Sequence, residues 1–100
     1  LLRLEERPTA VFAANDLMAL GAMMAIREAG LRIPDDIAIV GLDDIPAARL
    51  VHPPLTTVAQ FPDRLGQKAA ELLFSRLRGE APDSGRLLRH ACELIVRDSA

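Results

Sequence analysis

Apolar positions in this chain come in short blocks separated by polar turns, and the densest block is residues 37–44, IAIVGLDD. A bounded run of Ile and Val reads as a strand buried on both faces, as in a parallel sheet with helices on each side. Gly41 lets the backbone leave that sheet, and Asp43 and Asp44 follow at the strand's carboxyl end. A second block, residues 9–14 (TAVFAA), predicts another interior strand, and Asn15 or Asp16 at its end can cap the helix that follows. That helix covers 17–29 and stops at Gly30, the residue type best suited to a left-handed C-terminal cap. Strand, helix and strand in succession make the two strands parallel, with both carboxyl ends on one edge. Asn15 and Asp43 are therefore expected on a common rim, the edge where open α/β sheets hold ligands. The two aspartates also suit turns and caps, so residues 37–44 alone leave a structural and a functional reading open.

The helix at 17–29 has apolar residues all round it. Leu17, Met18, Leu20, Met23, Met24 and Ile26 do not fall on one stripe, so more than one side must be covered. One side is expected on the sheet. The other, with Leu20 and Met24 one turn apart, calls for either another helix of this chain or a second subunit.

Elsewhere the pattern is plainer. Residues 1–7 read as the tail of a helix stopped by Pro8. Residues 45–52 hold a short helix begun near Pro46, with Leu50 and Val51 exposed or at a contact. Residues 55–60 (LTTVAQ) predict a strand of alternating character. Pro62 opens a helix to about residue 78, whose Leu65, Ala69, Leu72, Leu73 and Leu77 form a single stripe before Gly79. A turn cluster fills 80–85, and 86–97 reads as one extended or broken strand with Cys92, Leu94 and Val96 on a shared face. No repeat or linker interrupts this order, and the organisation is α/β throughout.

Composition narrows the function classes. A chain of 100 residues forms one small domain, and its 50% hydrophobic and 26% charged residues describe a globular chain with an aliphatic core. A net charge of −2, with both signs scattered, gives no footprint for gripping nucleic acid or anionic lipid. One cysteine excludes an internal disulfide and fits a reducing compartment. With no membrane-length apolar run and no signal-peptide pattern, the expected location is cytoplasmic. The chain starts at Leu1, in what reads as the middle of an element, so a fragment of a longer protein is expected.

Catalytic chemistry is poorly supplied. His90 and Cys92 fall on one strand face, yet no nucleophile-bearing turn accompanies them, and a strand histidine beside a core cysteine is the favoured reading. No phosphate loop, dinucleotide glycine pattern or zinc spacing is present. Asp35 and Asp36 precede their strand while Asp43 and Asp44 follow it, so no metal site and no cofactor is expected. An amide beside an ionised carboxylate, in contrast, suits hydroxyl groups, amides or purine edges.

The segments AANDLMALGAMMAIREAGLRIPDDIAIVGLDD, HPPLTTVAQ and ELIVRDS, in this order, resemble the C-terminal part of the effector-binding core of LacI/GalR-family bacterial transcription regulators. The resemblance runs ungapped from Pro8 to Ser99. It implies a type I periplasmic-binding-protein-like α/β sandwich, present in part, with two lobes around a small-molecule effector. It further implies that Asn15 and Asp43 bind a sugar or nucleobase, with Gln60 nearby in a lesser role. Leu20, Met24, Leu50, Val51 and His52 match the family's dimer face, which agrees with the girth of helix 17–29. Operator DNA would be read by an N-terminal headpiece absent here, and residues 61–91 would belong to the first lobe. Leu42 stands where the family commonly has an aromatic residue, and Ala91 where it often has proline. A sugar-binding protein of an import system shares the fold and is the alternative; an α/β enzyme or receiver domain using Asp43 and Asp44 is a further one.

Overall fold

Each strand forms where a block of apolar or β-branched residues meets a partner that can take its backbone hydrogen bonds. The computed structural model describes residues 1–82 and 84–100. Its elements are β1 (Ala10–Phe12), α1 (Asp16–Glu28), β2 (Ala38–Asp43), a short 3-10 turn (Pro46–Arg49), β3 (Thr56–Ala59), α2 (Pro62–Leu77) and β4 (Glu93–Ile95). Among the described residues, one sheet runs in the order β1-β2-β3-β4. β1, β2 and β3 are parallel, and β4 returns antiparallel to β3. None of the described helices is long and apolar enough to cross a membrane.

The chain divides into two units, residues 1–59 with 93–100, and residues 60–92. In the first unit, β2 is interior, and Ile37 and Ile39 are buried within a core that includes Ala19, Met23, Ile26, Ala48 and Leu55. α1 packs on β2 through Asp16, Ala19, Met23 and Ile26, the alternating three- and four-residue steps that keep one helical face inward. Burial of a side chain such as Met23 or Ile26 contributes about 1.5–3 kcal/mol. Asn15 caps the helix, and Gly30 follows its end at φ 75°.

Ser99 closes this unit from the far end of the chain. Its hydroxyl accepts from Thr56 N at 2.8 Å and donates to Ile39 O at 2.6 Å, while its carbonyl accepts from Ile39 N at 2.8 Å. It thus bridges β2 and β3 at the start of their ladder, which begins at the Val40–Thr56 pair.

Several sequence expectations change. Residues 1–7 form turns and bends, not a helix tail. Among the described residues β1 has only β2 as a strand neighbour, at the edge of this sheet, and Phe12 is exposed. β3 is not alternating: Thr56, Thr57 and Ala59 are all buried, because β3 lies between β2 and β4. Only 93–95 of the expected strand at 86–97 is a strand, so His90 and Cys92 share no strand face.

In the second unit, α2 starts from Phe61 in a left-handed conformation (φ 50°) with Pro62 in its first turn, and no residue of α2 is buried. The Phe61 ring meets His90 edge-on at 6.3 Å, and the Arg64 guanidinium lies 4.8 Å from its centre. Asp83, within the expected turn cluster at 80–85, lies outside the described residues.

Candidate functional site

The strand register decides what shares an edge. Phe12 is paired with Val40 in the parallel β1–β2 ladder, and Ala13 N donates to Val40 O at 2.8 Å. Asn15 and Asp43 each lie three residues beyond that pair, so they stand at the carboxyl ends of neighbouring parallel strands.

Asn15 has extended backbone (φ −157°), and its Oδ1 accepts from Met18 N at 2.8 Å as the N-cap of α1. Capping uses only the carbonyl side of the carboxamide. Among the described residues its Nδ2 makes no hydrogen bond, which leaves a donor at a half-buried position on the rim. Asp43 closes β2 opposite Ala59, with φ 123°, and Asp44 follows at φ 55°. Two consecutive non-glycine residues with positive φ cost about 1–3 kcal/mol each. Such a turn persists only where its surroundings fix it. Gln60 follows Ala59 directly and is the first residue of the second unit.

Asp44, paired with Asp43 in the sequence reading, does a different job. It accepts from Arg97 Nη2 at 2.5 Å and from Arg49 Nη2 at 3.0 Å, and only 11% of its side chain is exposed. Burial pushes its pKa up, but the hydrogen bonds from Arg97 and Arg49 outweigh burial and hold the carboxyl below the ordinary carboxylate value. Arg97 also donates to Leu55 O at 2.7 Å, so the pair anchors the turn to the segment entering β3. No group of three or more His, Cys, Asp or Glu among the described residues could hold a metal ion.

Asp16 was legible only as a second possible cap. It is fully buried, and its carboxylate accepts from Thr57 Oγ1 at 2.5 Å and from Ile45 N at 2.9 Å. Gly41 does not release the chain from the sheet; it sits within β2, paired with Thr57. A Cβ there would lie 2.2 Å from Asp16 Oδ1. A glycine inside a strand marks a close approach, and that was the available signal.

The residues matched to a dimer face are partly assembled. Leu20 and Val51 are half-buried and Met24 is 63% exposed; together with Met23 and Arg27 they line a groove of about 180 Å³. Leu50 is 85% exposed and His52 is exposed, and neither lines that groove.

The sequence family described as periplasmic binding protein-like domain matches residues 1–100. The chain belongs to this family. Its similarity within it is to the effector-binding region of LacI/GalR-type regulators. The HTH-type transcriptional repressor PurR of Mannheimia succiniciproducens is 48% identical over 99 residues, covering 99% of this chain and 29% of that protein. Among solved structures, the transcriptional regulator CelR–cellobiose complex superposes with a TM-score of 0.86 at 42% identity, over 92% of this chain and 28% of that one. The lac repressor dimer bound to operator and the anti-inducer ONPF gives 0.83 at 43% identity, over 92% and 32%. The chain thus spans less than a third of each of these relatives. The periplasmic binding protein-like fold agrees with the observed parallel strands flanked by α1.

Proposed function

We propose that this chain is the C-terminal part of the effector-sensing core of a bacterial transcription regulator, binding a sugar or nucleobase and pairing as a homodimer. The observation that carries this reading is the register-matched position of Asn15 and Asp43 on one rim, a carboxamide and a carboxyl group at the ends of neighbouring parallel strands. The family resemblance assigns Gln60 a lesser role beside the ligand. Residues 61–91 belong to the first lobe, which the division of the chain at residues 60–92 supports. Operator DNA is read by a headpiece outside this chain, in the cytoplasm, and the core performs no catalysis. An effector shifts such a regulator only by binding its two lobe geometries with unequal affinity.

Asp43→Ala in the full-length protein removes a charge-assisted hydrogen bond of about 1.5–3 kcal/mol, so affinity for the effector falls tenfold or more. Isothermal calorimetry against a panel of D-ribose, cellobiose, adenine and guanine reads this directly. Equal affinity in variant and wild type would take Asp43 out of the site. The homodimer is proposed to bury the face formed by Leu20, Met24, Leu50, Val51 and His52. Met24→Glu places a charge in that face, and sedimentation at micromolar concentration is expected to give monomers; an intact dimer would move the interface elsewhere.

A further inference from the structure

A carboxylate with no solvent exposure and no cationic partner is an expensive choice at the first residue of a helix. Asn15 already caps α1, so Asp16 is not needed for capping. Among the described residues, Asp16 forms no ion pair; its oxygens are satisfied by the Thr57 hydroxyl of β3 and the Ile45 amide. A buried carboxyl group held by neutral partners persists where its geometry is needed. The space it fills is reserved: Gly41 of β2 lacks the Cβ that would collide with Oδ1. Three elements therefore meet at this one carboxylate.

The neighbours in sequence give that meeting a purpose. Asp16 adjoins Asn15, and Ile45 lies two residues after Asp43, across a turn that holds both Asp43 and Asp44 at positive φ. We infer that Asp16 is the positioning residue of the ligand rim: its buried carboxylate ties the 43–45 turn to the start of α1 and so fixes the separation of Asn15 and Asp43. This rests on the reading of those two residues as ligand contacts. Asp16 itself touches no ligand. It acts through the backbone, by holding Ile45 N in place.

The test compares Asp16→Ala with Asp16→Asn in the full-length protein. Asparagine accepts from Ile45 N through Oδ1 and donates to Thr57 Oγ1 through Nδ2, so it restores both links with a side chain of the same shape. Two readouts are taken at a temperature where circular dichroism finds each variant folded: exchange of the Ile45 amide, and affinity for whichever of D-ribose, cellobiose, adenine or guanine the wild type binds. Asp16→Ala is expected to speed Ile45 exchange and weaken the probe by about tenfold or more, with Asp16→Asn within about threefold of wild type on both. If Asp16→Ala does not fold, Thr57→Val, which removes one of the two links, is expected to give an intermediate loss of about threefold. A variant that melts earlier yet keeps Ile45 protection and probe affinity overturns the inference, since a purely structural group would behave so. Should the wild type bind none of the probes, the sugar and nucleobase reading fails, and Ile45 exchange alone decides whether Asp16 clamps the turn.

Discussion

Arg97→Met is expected to lower the stability of the protein by about 3 kcal/mol, the lower end of what breaking a buried ion pair costs. The side chains of Arg97 and Asp44 are only 13% and 11% exposed. Methionine keeps most of the aliphatic volume but withdraws the guanidinium from both Asp44 and Leu55 O. Asp44 is then left with Arg49, whose side chain is 67% exposed and whose pull is screened by solvent. That surviving partner is why the lower figure applies. Urea denaturation at pH 7 reads the change as an earlier midpoint, and an unshifted midpoint would contradict it. The pH dependence follows from the sign of the Asp44 shift. Burial raises its pKa, the Arg97 and Arg49 hydrogen bonds lower it further than burial raises it, and the folded value lies below the unfolded one of about 3.9. A depressed carboxyl contributes stability that is present above the unfolded value and is lost as pH falls through the folded one. Wild type and variant should therefore differ most near neutrality and converge in acid.

What the sequence revealed was whatever short-range chemistry dictates. Asn15 and Gly30 marked the ends of α1 because capping acts within a few residues, and the apolar run before Gly41 marked β2 because burial on both faces leaves no polar position. Parallel pairing followed from the helix between the strands, and with it the shared rim. Less legible were roles set by distant partners. Ser99 bridges Ile39 and Thr56, residues 60 and 43 positions away, and nothing near Ser99 announces that. The extent of β4 was overestimated for a related reason: alternation at 86–97 is compatible with a strand, but only Glu93–Ile95 find the β3 backbone opposite. Residues 1–7 had helix-forming composition, but seven residues are too few to sustain a helix by themselves. Local pattern also left one carboxylate without a role. Asp43 ends β2 at the rim, as its place after the apolar run implies, whereas the ion pair of Asp44 with the C-terminal segment has no local signal.

Gly41 is where these two scales meet, and Gly41→Ala should cost about 3 kcal/mol or more. The new Cβ would lie 2.2 Å from Asp16 Oδ1, 3.1 Å from Leu55 Cδ2 and 3.3 Å from Asp16 Cγ. Leu55 is fully buried and Asp16 has no exposed surface into which to swing. Overpacking of this kind costs about 1–3 kcal/mol. Displacing the carboxylate adds a similar amount, because Ile45 N and Thr57 Oγ1 lose their shared acceptor while remaining within the protein. A double-mutant cycle separates the two contributions. With Asp16→Ala already in place the clash with the carboxylate is gone and only the Leu55 contact remains, so adding Gly41→Ala should cost at least about 1 kcal/mol less than it does in the wild type. Equal costs in both backgrounds, measured by urea denaturation, would mean that strand twist or β2–β3 pairing demands the glycine. The carboxylate of Asp16 would then have no part in choosing the residue at position 41.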